Sequence, residues 1–376
     1  MATPLRLFIL AGEPSGDRIA ADLVRRLSDR VPVEVSGVGG EALSAVGVTS
    51  LFDMNELSVM GWADVLPRLP KLLWRARQVA RKIIKTRPDV AVMVDSQVFS
   101  EIVAKQVYKA APDIPVLLCV APAAWAWKPE RATHLKPHFR EVMAVLPFEP
   151  AFMRSVSGPE THYIGHPAVN SMAFRKSIPS QGPLLLLPGS RDGELRRHLP
   201  FMRVVAERLA AHPKVTGFIL PTPRRLEASL KQKVADWPVK VDVISGEERK
   251  ASAMADAIAA VAVTGTVTLE LALAGVPMVT TYVAERRQAK LWVKYQIKFA
   301  SLPNILLDQA VVPEILQLEP NVEELVSAAG ALLDSDEALR AQVEGFARLR
   351  RLMEAGADED PRIDPAERIL RYKAPQ

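Results

Sequence analysis

Residues 261–279 read VAVTGTVTLELALAGVPMV, a pattern that predicts a buried strand, a glycine turn, a helix and the start of a second buried strand. Gly275 is expected to end the helix, because glycine readily takes the left-handed conformation that follows many helices. The turn Thr264-Gly265-Thr266 points backbone N–H groups and hydroxyls at one spot, which lies at the positive end of the helix dipole and suits a phosphate. Glu270, further along the helix, is placed to accept hydrogen bonds from ribose hydroxyls. A plain strand–turn–helix packing unit explains the same pattern, and both interpretations stay open at this point.

The composition is that of a globular protein with two domains. A chain of 376 residues is long for one hydrophobic core, and 49% hydrophobic with 24% charged residues excludes a disordered chain. The net charge of +5 is too small to indicate nucleic acid as a partner. Cys119 is the only cysteine, so an internal disulfide is impossible and a reducing compartment is expected. Residues 5–10 are too short an apolar run for a signal peptide, and no transmembrane helix is predicted, so any membrane contact is expected to be peripheral.

The first strand–loop–helix unit lies at residues 5–27. Residues 5–10 predict a buried strand, residues 11–17 (AGEPSGD) a loop, and residues 19–27 a helix capped by Ser15 or Asp17. A glycine loop in this place suits an anion or a sugar, although a tight turn without a ligand is the alternative. Residues 37–42 (GVGGEA) match the dinucleotide fingerprint G-x-G-x-x-A. They follow the second strand instead of the first, which favours a chance match or a sugar-binding loop.

Residues 66–87 are the most distinctive surface segment. They contain no acidic residue, eight basic residues and apolar residues at helical spacing, with Trp74 among them. A basic amphipathic helix of this kind suits an anionic membrane surface. A helix that packs between domains and keeps a solvated basic face is the alternative. Residues 286–298 repeat the combination of basic and aromatic side chains, which favours a lipid or phosphate partner.

Residues 88–96 predict a buried parallel strand that ends in Asp95. A carboxylate at the carboxyl end of such a strand faces the active-site crevice of a doubly wound sheet, so Asp95 is a candidate general base, with a helix cap as the alternative. Beyond the next predicted strand, 116–120, Trp125 and Trp127 form a candidate ligand wall or domain contact. Two pairs of histidines four residues apart lack the H-E-x-x-H form, so no metal site is expected: His134 with His138, and His162 with His166.

A second α/β unit is expected after the polar linker 177–183. Residues 184–187 predict a strand, residues 188–194 (PGSRDGE) a loop and residues 198–211 a helix, which repeats the plan of residues 5–27. Arg191 is placed to pair with a pyrophosphate, because the planar guanidinium of arginine matches the geometry of phosphate oxygens. The sequence therefore predicts two similar α/β domains that face each other.

Eight motifs, in the same order over nearly the whole chain, resemble the lipid-A-disaccharide synthase family. They are AGEPSGD (11–17), ELSVMGWADVLPRLP (56–70), APAAWAWKPERA (121–132), LPFEPAF (146–152), YIGHP (163–167), LLPGSRDGE (186–194), TGTVTLELALAGVPMV (264–279) and SLPNILLDQAVVPEILQ (301–317). No single motif is decisive, but the ordered set is highly specific. The resemblance implies an α/β protein of the GT-B glycosyltransferase class, with two Rossmann-like domains facing across a cleft and a last helix that crosses back to the first domain.

The resemblance also implies a reaction and a location. UDP-2,3-diacylglucosamine would donate its sugar to 2,3-diacylglucosamine 1-phosphate (lipid X), with inversion, to give a β-1′,6-linked disaccharide and UDP in Gram-negative lipid A biosynthesis. No cofactor and no catalytic metal is implied. The expected domains are an acceptor and membrane-side domain at 1–170, a UDP-sugar domain at 171–350, and a segment 351–376 that packs on the first domain or on a partner subunit. Members of the family work at the cytoplasmic face of the inner membrane and often form domain-swapped dimers, so an anionic membrane contact through 66–87 and a homodimer are expected.

The residue patterns and the resemblance together assign site residues. Asp95 matches the family's essential aspartate and would be the catalytic base. The expected UDP site comprises Gly189, Ser190, Arg191, Thr264, Gly265, Thr266 and Glu270. The expected acceptor or cleft residues are Glu13, Ser15, Gly16, Asp17, Met60, Trp125, Trp127 and Asn304, the last matching an active-site asparagine of the family.

The chain departs from the family pattern directly after Asp95. Residues 95–100 read DSQVFS, where a Pro-Asp-Phe-Asn-like run is usual, so Val98 stands in place of a second acid and Ser100 in place of Asn or Thr. One alternative function is therefore a catalytically weakened homologue that binds UDP or lipid at the membrane. Another, suggested by residues 37–42, is a nicotinamide-dependent oxidoreductase.

Overall fold

The computed structural model describes residues 3–57, 62–175, 177–285, 290, 292–294 and 296–373, and the side chains of these residues except 62–67 and 127. The chain divides into two compact units. The first comprises Met1–His166 together with Ala355–Gln376, and the second comprises Pro167–Glu354.

The first unit is organised around a parallel six-stranded sheet in the order β2-β1-β3-β4-β5-β6. Its strands are β1 Leu5–Ala11, β2 Val33–Val38, β3 Val90–Val94, β4 Val116–Cys119, β5 Glu141–Ala144 and β6 Glu160–Tyr163. Its helices before residue 167 are α1 Pro14–Ser28, α2 Glu41–Ala45, α3 Trp62–Thr86, α4 Gln97–Ala110, α5 Ala124–Trp127, α6 Glu130–Leu135 and α7 Glu149–Ser155. Every residue of β3 and β4 is buried, as expected for parallel strands with helices on both faces of the sheet.

Helix α1 begins earlier than the sequence predicted. Its first residue is Pro14, so Ser15 and Asp17 lie inside the first turn and neither caps the helix. The predicted cap was wrong because proline is favoured at the first helical position, where its missing N–H costs nothing. The Asp17 carboxylate instead accepts hydrogen bonds from N–H groups at the start of α2.

Helix α3 packs on the sheet through its second half. Ala76, Val79, Ala80 and Ile83 are buried in the same core as residues of β1, β3 and α4. In the first half, the side chains of Leu69, Leu73 and Trp74 are exposed. The second half of the helix therefore packs within its own unit, whereas the first half presents an apolar, basic surface.

The second unit contains another parallel six-stranded sheet, in the order β12-β11-β10-β7-β8-β9. Its strands are β7 Gly182–Leu187, β8 Val215–Pro221, β9 Val241–Ile244, β10 Ala259–Val263, β11 Met278–Val283 and β12 Glu314–Gln317. Its helices are α8 Ala168–Ser171, α9 Asp192–Leu209, α10 Arg224–Val234, α11 Glu247–Asp256, α12 Thr266–Ala274, α13 Leu302–Leu307, α14 Val322–Asp334 and α15 Asp336–Ala355.

The stretch 261–279 has the predicted strand–turn–helix–strand structure, formed by β10, α12 and β11. Gly275 ends α12 in the left-handed region, with φ of 76°. A Cβ atom at this position would lie 2.7 Å from the carbonyl oxygen of Arg175, so a larger residue has no room. Glycine is therefore required here both for its conformation and for close packing.

The chain ends with a segment that returns to the first unit. It consists of the short strands β13 Gly356–Ala357 and β14 Asp360–Pro361, followed by α16 Pro365–Leu370. The Ile363 N–H donates to the carbonyl of Tyr163 (2.9 Å), and the Arg154 guanidinium binds Asp360 (2.6 Å). Arg368 of α16 also donates to Glu141 of β5 (2.5 Å), which confirms the prediction that the last helix crosses back to the first domain.

Candidate functional site

Asp95 stands at the carboxyl end of β3 in a left-handed turn. Its φ is 58°, and that of Ser96 is 47°. Residues other than glycine take this conformation at a cost on the order of 1–3 kcal/mol each. The Asp95 N–H donates to the carbonyl of Cys119 (3.0 Å), and the buried Ser100 hydroxyl donates to the carbonyl of Asp95 (2.9 Å). Ser100 thus holds a strained turn, and strain enforced by the surroundings is typical of functional sites.

The Asp95 carboxyl is suited to take up a proton. Burial raises its pKa above the ordinary value, while the hydrogen bond that it accepts from the Ser96 N–H (2.9 Å) lowers it and is the smaller effect. A base whose pKa is raised towards the working pH is a better proton acceptor than an ordinary aspartate. Val120, at the end of neighbouring β4, also has a positive φ of 74°, so two adjacent strand ends carry strain.

The turn between β1 and α1 packs directly against Asp95. A Cβ atom on Gly12 would lie 1.8 Å from Ser96 Oγ, and one on Gly16 would lie 3.3 Å from Asp95 Cβ. A side chain at position 12 would therefore collide with Ser96, and one at position 16 would crowd the end of β3, which explains part of the AGEPSGD motif. The structure brings Gly16 and Asp95 together, while Glu13 and Ser15 lie exposed at the start of α1.

Asp17 is buried, and its side chain binds the start of the next helix, α2. Its carboxylate accepts hydrogen bonds from the N–H groups of Gly40 and Ala42 (2.8 Å each) and, at 3.3 Å, of Leu43. The Gly40 and Ala42 amides belong to the fingerprint-like run 37–42 at the start of α2. Because a protein carboxylate already occupies them, the run lacks the open anion site that a dinucleotide requires. This arrangement argues against the oxidoreductase alternative.

Trp125 is held by a buried glutamate. Its indole Nε1–H donates to Glu149 Oε1 (3.3 Å), and its ring packs edge-on against Phe148 with centroids 5.2 Å apart. Glu149 Oε2 accepts from the Leu146 N–H (3.0 Å). Glu149 is 2% exposed, and burial raises its pKa to about 8, so at neutral pH the carboxyl is mostly protonated.

The sequence did not single out Glu149. It appeared only as part of the family-like motif 146–152, although an acid just beyond the buried β5 was a usable signal. Gln97 and Arg131 were missed in the same way. The Gln97 amide donates to the carbonyl of Ala121 (3.4 Å) and accepts from Arg131 (3.4 Å), which joins the turn after β3 to the loop after β4. The predicted Met60 and the Trp127 side chain lie outside the described residues.

In the second unit, the loop after β7 is arranged around Glu194. The Ser190 and Arg191 N–H groups donate to Glu194 Oε2 (3.0 and 3.2 Å), as in a helix capping box. Gly189 has a φ of 94°, and a Cβ atom there would lie 2.5 Å from the same oxygen. The backbone N–H groups of Ser190 and Arg191 are therefore already bound by a protein carboxylate, which leaves the Arg191 side chain as the group of this loop that can bind a pyrophosphate. The Arg191 side chain is 77% exposed and only loosely paired with Glu194.

The loop after β10 lies beside the loop after β7, because β10 and β7 are adjacent parallel strands. Gly265 and Thr266 are exposed at the start of α12, and Thr264 is partly exposed. The Thr268 hydroxyl donates to the carbonyl of Gly265 (2.8 Å) and so fixes the turn. The predicted UDP residues thus meet at one edge of this sheet, where an anion would face the start of α12.

Glu270 lies on α12 four residues after Thr266, on the same face of the helix. It is partly exposed, and Glu270 Oε2 is 2.6 Å from Lys250 Nζ. Asn304, by contrast, is 1% exposed in the second unit. Its amide donates to the Val312 carbonyl and Glu314, and accepts from the N–H groups of Val311 and Val312, at 2.8–2.9 Å. These four hydrogen bonds fill its capacity, so in this conformation it anchors the loop after α13.

A group of possible metal ligands occurs in the first unit, at Glu141, Glu160 and His162. The Arg368 guanidinium already lies among these oxygens, with Nε 2.5 Å from Glu141 Oε2 and Nη2 2.6 Å from Glu160 Oε1. Since arginine supplies the compensating charge, the group is explained as the anchor of α16 and needs no metal. Among the helices that the structure describes, none is long and apolar enough to span a membrane.

Comparison with known proteins agrees with this geometry. Residues 7–360 match the model of the lipid-A-disaccharide synthetase family. The lipid-A-disaccharide synthase of Bradyrhizobium diazoefficiens is 37% identical over 97% of this chain and 96% of its own length. Two solved structures share the fold at low identity. A UDP-GlcNAc 2-epimerase from Neisseria meningitidis, bound to UDP-GlcNAc, has a TM-score of 0.60 at 11% identity and covers 93% of this chain and 99% of its own.

The second structure is a spinosyn rhamnosyltransferase complexed with thymidine diphosphate. It has a TM-score of 0.57 at 14% identity and covers 98% of this chain and 100% of its own. The two parallel six-stranded sheets, each wrapped by helices, are those of the GT-B class. The chain therefore belongs to the lipid-A-disaccharide synthase family and is a glycosyltransferase of lipid A biosynthesis.

Proposed function

We propose that the protein transfers the sugar of UDP-2,3-diacylglucosamine to the 6-hydroxyl of 2,3-diacylglucosamine 1-phosphate. The observation that carries the proposal is Asp95, a partly buried carboxyl with a raised pKa in a strained turn at a strand end. In the proposed arrangement, residues 1–170 bind the acceptor and the membrane, residues 171–350 bind the UDP-sugar, and residues 351–376 complete the first domain or contact a partner subunit.

Asp95 acts as the general base in this reaction. As the acceptor hydroxyl attacks C1 of the donor sugar, its proton passes to the Asp95 carboxylate, and the bond from C1 to the UDP oxygen breaks with inversion. The UDP leaving group gains negative charge. The Arg191 guanidinium and the exposed N-terminal end of α12 compensate this charge, because one carries a positive charge and the other presents backbone N–H groups at the same edge of the sheet. Arg191 is free to swing towards a diphosphate since its side chain is mostly exposed.

A UDP-release assay with both lipid substrates tests the proposal. The wild-type protein is expected to release UDP only when donor and acceptor are both present. Asp95→Asn, which preserves shape but removes the base, is expected to lower kcat by roughly 10²–10⁴-fold. Asp113→Asn is the matched control, because Asp113 is an exposed aspartate of the same unit whose partner is the exposed Arg87.

No UDP release by the wild-type protein would refute the transferase proposal. Calorimetry then separates the remaining alternative, a weakened homologue that binds UDP without turnover. That alternative is favoured by Val98, an apolar side chain 66% exposed at the position where the family has a second acid. UDP binding without release would support it, whereas release at a normal rate would exclude it.

We also propose that the first half of α3 attaches the protein to the inner face of the inner membrane. Leu69, Leu73 and Trp74 are 39%, 36% and 54% exposed, and basic residues surround them. Buried apolar area and attraction to anionic lipids both stabilise such an attachment. The variant Leu69→Glu/Leu73→Glu is expected to lose binding to vesicles that contain phosphatidylglycerol. Leu318→Glu, at an exposed apolar residue of the second unit, is the control and should bind like the wild type.

Equal vesicle binding by the double variant and the control would contradict the membrane proposal.

A homodimer is part of the proposed function as well, because members of the family often form one. Light scattering on the purified protein measures the mass directly, and a mass of one chain at assay concentration would contradict the dimer.

A further inference from the structure

The contact between Lys250 and Glu270 joins two neighbouring helices at the predicted UDP edge. Lys250 lies on α11, which follows β9, and Glu270 lies on α12, which follows β10. Lys250 Nζ is 2.6 Å from Glu270 Oε2. Both side chains are largely covered, with 19% and 23% of their surfaces exposed, so this pair is shielded more than an ordinary surface ion pair.

In the part of the chain that the structure describes, one oxygen of the Glu270 carboxylate is engaged, by Lys250. Among the described residues, Oε1 has no hydrogen-bond partner, whereas Oε2 is bound by Lys250. Lys250 has a second, weaker contact with the exposed Glu247, at 3.7 Å. A carboxylate held at one oxygen presents the other in a fixed direction, since the side chain loses the freedom to rotate.

We propose that Lys250 is a positioning residue for the donor's ribose, which holds Glu270 so that its free oxygen accepts hydrogen bonds from the ribose hydroxyls. The inference rests on the proposed function, because it assumes that UDP binds at the loops after β7 and β10. Glu270 lies one helical turn beyond Thr266, at the start of α12. A diphosphate at the helix N-terminus therefore places the attached ribose beside this face of the helix.

The size of the effect follows from the kind of hydrogen bond involved. A neutral hydroxyl that donates to a charged carboxylate forms one of the stronger hydrogen bonds in proteins. If the Glu270 carboxylate is no longer held in one orientation, UDP binding is expected to weaken on the order of 10-fold, because the carboxylate must then be ordered at the time of binding. Removal of Lys250 also leaves Glu270 without its neutralising partner.

The test compares UDP with 2′,3′-dideoxy-UDP, which lacks both ribose hydroxyls, by calorimetry on the full-length protein. The wild type is expected to prefer UDP. Lys250→Met should weaken UDP binding about 10-fold and leave dideoxy-UDP binding unchanged, so that the preference collapses. Lys250→Arg restores a cation at the same place and should recover most of the preference. Lys231→Met removes the lysine of an exposed ion pair with Glu227 in the same unit and serves as the control.

The outcomes separate the inference from the proposed function. If the wild type binds no UDP, the proposed function fails and the inference fails with it. If the wild type prefers UDP and Lys250→Met keeps the full preference, the inference alone is overturned. An equal loss of both ligands in Lys250→Met also overturns it, because that result indicates a general structural role. Thermal unfolding of each variant identifies any loss of folding.

Discussion

The buried carboxyl of Glu149 leads to a quantitative prediction about stability. Glu149→Gln preserves the size of the side chain and its carbonyl acceptor but removes the ionisable group. In the wild type, burial raises the pKa of Glu149 from 4.5 to about 8. The folded protein therefore keeps a proton that the unfolded chain has already released at neutral pH. This proton difference makes the free energy of unfolding depend on pH.

The direction of the effect follows from the raised pKa. Between pH 4.5 and 8, the folded state holds one proton more at Glu149 than the unfolded state does, so stability falls as the pH rises. The slope is about 1.4 kcal/mol per pH unit, and the total over the whole interval is roughly 4–5 kcal/mol. Above pH 8 the contribution levels off, because both states are then ionised.

The comparison of wild type and Glu149→Gln isolates this contribution, since the other titrating groups are common to both. Between pH 5.5 and 7.5, the wild type is expected to lose about 2.7 kcal/mol relative to the variant. In melting temperature this corresponds to roughly 5–11 °C for a domain of this size. At low pH the variant is expected to be the less stable protein, because an amide nitrogen cannot accept the second hydrogen bond, from Leu146 or Trp125.

Thermal unfolding followed by fluorescence at several pH values measures the difference. Glu130→Gln, at an exposed glutamate of the same unit, is the control and should follow the wild-type pH dependence. Parallel curves for the wild type and Glu149→Gln between pH 5.5 and 7.5 would refute the reasoning. That result would mean that Glu149 ionises in the folded protein at an ordinary pH, and that Trp125 is bound by a charged partner.

Three further predictions concern the charged groups of both units. In the dependence of kcat on pH, activity is expected to fall on the acid side at a pH above the pKa of an ordinary aspartate, because Asp95 must be ionised and burial raises its pKa. A kcat that stays unchanged down to pH 4 would contradict this role. Arg368→Met leaves the buried Glu141 carboxylate uncompensated and should destabilise the first unit by about 3–5 kcal/mol in thermal unfolding. The exposed Arg371→Met is its control, and equal effects would refute the assignment. Arg191→Lys is expected to raise the Kd of UDP about 10-fold in calorimetry, because lysine lacks the planar fork, and an unchanged Kd would exclude a diphosphate contact.

Much of the fold was predictable because the signals are local. Continuous apolar runs such as those of β3 and β10 indicate strands buried on both faces, and Gly275 marks the end of α12. Asp95 was predictable for the same reason, since a carboxylate directly after such a run lies at the functional edge of a parallel sheet. The position of α16 came from the family resemblance, because no local pattern indicates which sheet a terminal helix joins.

The sequence by itself determined the two α/β units, the family and the strand ends that carry the candidate base and the phosphate loops. Only the tertiary structure decided which polar groups are already engaged. The Asp17 carboxylate accepts hydrogen bonds from N–H groups at the start of α2, and the Glu194 carboxylate accepts them from its own loop. Lys250 forms an ion pair with Glu270. Arg368 neutralises Glu141 across 227 residues of chain. The physical reason is that periodicity and turn chemistry are set by neighbours in the chain, whereas burial, hydrogen-bond partners and pKa depend on groups that only folding brings into contact.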